Sequence, residues 1–165
     1  TGEAQQLLDS ENMAELAAFC TGSWATSAET DAGSGSWEAA ACQCLQDLEI
    51  LEPDWLALLK QWEQAPELPG FAPQDPEKLE RIAVYFAFRY LLKAVNDGDL
   101  LGRAQFCALG VLVTDRLSRF VGLPEALRLF SREIEHNGDN LDTLLEQFWQ
   151  TEGLSLSALL AAFGG

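Results

Sequence analysis

The chain has 165 residues, 48% of them hydrophobic and 10% aromatic, which suits one domain with a true core and excludes a disordered segment. Its net charge of −16 repels phosphate, which excludes DNA and RNA binding. The longest apolar run, Phe106 to Val113, is far shorter than the roughly 20 residues of a membrane span.

The charge is unevenly spread. Residues 1–75 hold 14 acids and one base, residues 76–121 five acids and seven bases, and residues 122–165 seven acids and two bases. Such a balance suits basic partners or plain solubility. The polar opening Thr1 to Gln6 predicts no secretory signal. Four cysteines, Cys20, Cys42, Cys44 and Cys107, are too sparse for a secreted disulfide scaffold and predict reduced thiols in a cytoplasmic protein. Cys42 and Cys44 are one residue apart, unlike common zinc or iron–sulfur spacings, and the chain has a single histidine, so no metal site is expected.

In chain order, a first helix is expected over Glu3 to Phe19, followed by a Gly/Ser-rich loop at 21–36 that leaves residues 1–36 loosely attached. Trp24 and Trp37 are expected to pin that loop to the core. A second helix fits Trp37 to Leu51, and Pro53 opens a third through Trp62. Prolines crowd Pro66 to Pro73, an irregular connection. Asp75-Pro76-Glu77 then starts a helix running to about Val95. That helix is apolar nearly all round in its second half, with Tyr85 and Phe88 widening its stripe, and is expected at the centre of the fold.

A turn at Asn96 to Asp99 leads into a second long helix, Leu100 to Val121, expected to pack antiparallel to the first. Pro124 opens a helix to about Glu135, Asp139 or Asn140 caps another to about Gln150, and a short one spans Ser155 to Phe163. No alternating strand pattern appears. The fold class is all-α, an irregular bundle of seven or eight helices in one domain over 1–165.

Two polar clusters stand out. Arg89 and Lys93, four apart on one helix face, adjoin Asp97 and Asp99. An arginine in so apolar a helix is expected to be partly buried and to need an acid, with Glu133 or Glu135 favoured. The pair could serve as structural charge near a helix end or bind an anionic group. The second cluster is Arg132, Glu133, Glu135, His136 and Asn140. Its histidine could act as a general base, or could simply bond the free carbonyls of a helix end. Phe86, Phe88, Phe106 and Phe148 read as core rather than as a ligand platform.

The run Tyr85-Phe86-Ala87-Phe88-Arg89-Tyr90-Leu91-Leu92-Lys93-Ala94-Val95-Asn96-Asp97-Gly98-Asp99, followed by Phe130-Ser131-Arg132-Glu133-Ile134-Glu135-His136 and Asn140-Leu141, resembles the C-terminal region of the flagellin lysine-N-methylase family. The resemblance spans roughly residues 50–150. It implies S-adenosylmethionine-dependent methyl transfer to lysines of flagellin, or of another lysine-bearing protein, by the whole enzyme. The family also carries an N-terminal cysteine cluster for an iron–sulfur centre, which Cys20, Cys42 and Cys44 do not reproduce. The expectation is therefore a substrate-binding or accessory domain that holds no cofactor itself and whose catalytic residues are unknown. A non-catalytic helical interaction module is the alternative.

Overall fold

The computed structural model describes residues 36–65 and 75–163, so the expected first helix and the loop through residue 35, with Cys20 and Trp24, lie outside the described residues. The described protein is all-α: seven principal helices and a few single turns, with no strand among the described residues. None of these helices is long and apolar enough to cross a membrane.

Helix α1 (Ser36–Asp47) ends four residues before the expected Leu51. Its last stretch is replaced by an extended link, because the backbone of residues 49–52 is held by side chains from elsewhere, as described below. Helix α2 (Pro53–Gln64) begins at its proline, where a missing N–H costs nothing. Helix α3 (Pro76–Tyr90) is capped by Asp75, whose carboxylate accepts from the Glu77 N–H at 3.1 Å. It stops at Tyr90 rather than Val95, passing into a 3₁₀ turn over Leu91–Lys93 and a single α turn over Ala94–Asp97. Gly98, at φ 74°, then turns the chain through a conformation that side chains with a β-carbon rarely take.

Helix α4 (Leu100–Val121) is the centre of the molecule. An unbroken stretch, Ala104 to Asp115, is buried, so this helix is covered all round. Helix α3 does not share that position. It buries Ile82, Ala83, Phe86 and Tyr90 on one side only, while Tyr85 is half exposed and Phe88 is 72% exposed. Phe88 is therefore not core, and Tyr85 does not widen a buried stripe. The buried positions recur three or four apart, and Phe88 falls on the opposite face.

Close contact between α3 and α4 depends on Gly110, where a β-carbon would stand 3.0 Å from the Phe86 ring. Phe86 packs edge-on against Phe106 and Phe130, at centroid distances of 6.0 and 5.8 Å. Tyr90 adds a 4.7 Å contact to Phe106, and Trp55 of α2 reaches Phe130 at 6.4 Å. These rings join α2, α3, α4 and α5 (Leu123–Phe130) into one core. Helix α5 passes into a π turn, Ser131–Glu135, closed by the His136 N–H donating to the Ser131 carbonyl at 2.9 Å. Helices α6 (Gly138–Phe148) and α7 (Leu156–Phe163) complete the bundle, with Phe148 buried. Asn137, rather than Asp139 or Asn140, caps α6, its side chain accepting from the Asn140 N–H.

Candidate functional site

The π turn places two carboxylates two residues apart, and residues so spaced do not share a helix face. Glu133 points toward the link before α2 and is fully buried. Its Oε2 accepts from the Leu51 N–H at 2.9 Å and its Oε1 from the Glu52 N–H at 2.7 Å. These amides precede α2, so the carboxylate satisfies otherwise orphaned donors at the positive end of a helix dipole. Asn140 completes the grip: its side chain accepts from the Glu49 N–H and donates to the carbonyls of Glu49 and Glu133. The link is thus paired as an added strand would be, but by side chains.

Glu135 turns the other way, toward α3. Its Oε1 accepts from the Tyr85 hydroxyl at 2.9 Å and the Tyr90 hydroxyl at 2.8 Å. Arg89 Nε lies 3.8 Å from the same oxygen and donates to the Tyr90 hydroxyl at 3.2 Å. The Arg89 side chain is 42% exposed, so the expected burial is absent: its stem leaves α3 beside the core and its guanidinium reaches solvent. Burial, with Glu135 next to it, pushes the Tyr90 phenol well above its ordinary range. Lys93 stands over the Tyr90 ring, 5.3 Å from its centroid.

The two expected clusters are therefore regrouped. Asp97 and Asp99 face away from Arg89 chemically: Asp97 binds Arg103 at 2.7 Å, and Asp99 caps α4 by accepting from the Gly102 N–H. Arg132 binds Glu52 at 2.6 Å, where Arg128 also converges and holds the Glu52 carboxyl below its usual range. His136 is exposed, and its side chain makes no hydrogen bond among the described residues. The polar groups of the two motifs meet through Glu135 with Tyr85, Arg89 and Tyr90, and their rings meet through Phe86 and Phe130. The tyrosine hydroxyls were the missed members; a tyrosine on a core-facing position needs a partner for its hydroxyl, and that is the signal that points to them.

Cys42, Cys44 and Cys107 are buried. Burial pushes the Cys42 thiol from its ordinary 9.0 up to about 12. The thiolate is the nucleophile, so a buried thiol that keeps its proton reacts slowly. Iodoacetamide is expected to label Cys42 far more slowly in the folded chain than in urea at pH 9, which mass spectrometry reads directly. Because the folded thiol keeps its proton to higher pH, its stabilising contribution is whole below pH 9 and is lost as pH climbs toward 12. Equal labelling rates in the two states would contradict the buried thiol.

An open cleft of about 260 Å³ lies elsewhere, between Leu101 and Gln105 of α4 and Phe148, Trp149 and Thr151. It touches none of the expected site residues. Comparison with protein-family models, curated proteins and solved structures finds no match to this chain.

Proposed function

We propose that the chain is the C-terminal helical domain of a flagellin lysine-N-methylase-like protein, and that it binds or positions the protein substrate of the whole enzyme. One observation supports this reading above others: the two motifs that carry the resemblance, 45 to 50 residues apart, converge on a single carboxylate oxygen of Glu135. The accessory role is supported by what their other polar groups do. Glu133 and Asn140 hold backbone, and Asp99 caps a helix. S-adenosylmethionine and an iron–sulfur cluster would belong to other residues of the full enzyme. A non-catalytic interaction module with an unrelated partner is the second reading, favoured by the exposed Phe88, Leu92 and Val95.

Calorimetric titration of the purified chain separates these readings. Flagellin is expected to bind with a dissociation constant of about 1–10 μM, roughly −7 to −8 kcal/mol, while S-adenosylmethionine gives no saturable heat. Tight cofactor binding would place chemistry inside this chain and overturn the accessory role. Loss of flagellin binding would leave the module reading.

A further inference from the structure

The outer side of α3 and the turns after it carry a line of apolar side chains exposed to solvent. Val84, Phe88, Leu92 and Val95 recur at helical spacing, with Phe88 72% and Val95 87% exposed, and Tyr85 borders them. A contiguous apolar face of this kind marks a contact surface rather than an ordinary exterior. Its charge is unusual for so acidic a chain. Residues 81–96 hold Arg81, Arg89 and Lys93 and no acid. Arg81 is paired with Glu77, and the buried Glu135 carboxylate is engaged by two tyrosines. Arg89 remains half exposed, and Lys93 has no carboxylate at ion-pair distance among the described residues.

The occupant of such a face must be apolar and acidic. A second copy of the chain would set the same cations against each other. We propose that this face is the docking site of the chain's own N-terminal segment, residues 1–35. That segment has six acids, Glu3, Asp9, Glu11, Glu15, Glu29 and Asp31, and no base. Between the acids it carries Leu7, Leu8, Met13, Leu16 and Phe19. Apolar side chains meet the Phe88 line while carboxylates meet Arg89 and Lys93.

The tether reaches. Helix α1 begins at Ser36 beside Arg116 of α4, whose Nε lies 2.7 Å from Glu38. Ten residues along α4, about 15 Å at 1.5 Å per residue, lead to the level of Phe106 and Tyr90. Crossing two helices of about 10 Å each brings the path to roughly 35 Å. Residues 20–35, fully extended, span about 50 Å. A segment held this close acts at an effective concentration on the order of millimolar, so modest contacts suffice. This inference does not depend on the methylase reading.

The test places the photo-crosslinking residue p-benzoylphenylalanine at Phe88 in the full chain and maps the products by mass spectrometry. Intrachain crosslinks into residues 1–35 are expected, with a yield that falls severalfold as salt rises from roughly 0.05 to 1 M. Crosslinks only between two copies, only within residues 36–163, or none at all would overturn the proposal. A second measurement uses Phe88→Glu with Leu92→Glu. Both side chains are exposed, so the fold persists, as circular dichroism will verify. Thermolysin should then cut within residues 1–35 roughly tenfold faster, because cleavage follows the population of the undocked segment. An unchanged rate overturns the proposal.

Discussion

Replacing Glu133 with alanine is expected to cost about 3–5 kcal/mol of folding stability, a large part of the 5–15 kcal/mol typical of a domain. The carboxylate is fully buried and accepts from two consecutive amides, at 2.9 and 2.7 Å. Hydrogen bonds to an ionised acceptor contribute about 1.5–3 kcal/mol each, and their loss here also strands two donors away from water. Asn140 would keep Glu49 in place but cannot reach Leu51 or Glu52. Glu133→Gln keeps the shape and one carbonyl acceptor while turning an amide donor toward an N–H, so it should recover about half the loss. Urea unfolding measures both, with an unchanged slope showing that compactness is preserved. A midpoint for the alanine variant equal to that of the parent would mean that the link before α2 holds itself.

Glu133 also marks the boundary of what could be read in advance. Local chemistry was legible: Pro53 opens α2, Asp75 with Pro76 opens α3, and a glycine closes the turn before α4. Each of these depends on neighbours within three or four residues. The carboxylate of Glu133 serves amides more than 80 residues away, and no spacing announces such a bond. The early end of α1 has the same cause, since residues 49–52 give up helical bonds for Asn140 and Glu133. Phe88 misled for a different reason. Apolar residues occur on every side of α3, so periodicity could not say which side met α4; the small Gly110 opposite Phe86 decided it. At the candidate site, Arg89 and Glu135 were readable as an ion pair between two charged motifs. The hydroxyls of Tyr85 and Tyr90, which make the shorter bonds to Glu135, were concealed by reading both residues as apolar.

Truncating Phe106 to alanine is expected to destabilise the fold by about 3–5 kcal/mol, the range for a large buried aromatic. Phe106 is fully buried on α4 and packs against Phe86 and Tyr90 of α3 and Phe130 of α5, so it ties two other helices to its own. Removing the ring leaves a cavity that α4, covered all round, has little freedom to collapse into. Phe106→Leu keeps most of the apolar volume but loses the edge-on geometry with Phe86 and Tyr90. Aromatic pairs of this kind contribute about 0.5–1.5 kcal/mol each beyond buried area, so the leucine variant should cost roughly 1–2.5 kcal/mol. The two numbers, taken from thermal or chemical unfolding, separate volume from ring geometry. Tyr90 supplies a check at the site itself, because its hydroxyl reaches Glu135 only while its ring rests on Phe106. If Phe106→Ala loosens that packing and lets water reach the Tyr90 hydroxyl, the phenol that burial holds up should titrate at lower pH, visible as phenolate absorbance. An alanine variant that loses less than about 1 kcal/mol would show that the core closes over the gap and that the aromatic cluster is not what binds these helices together.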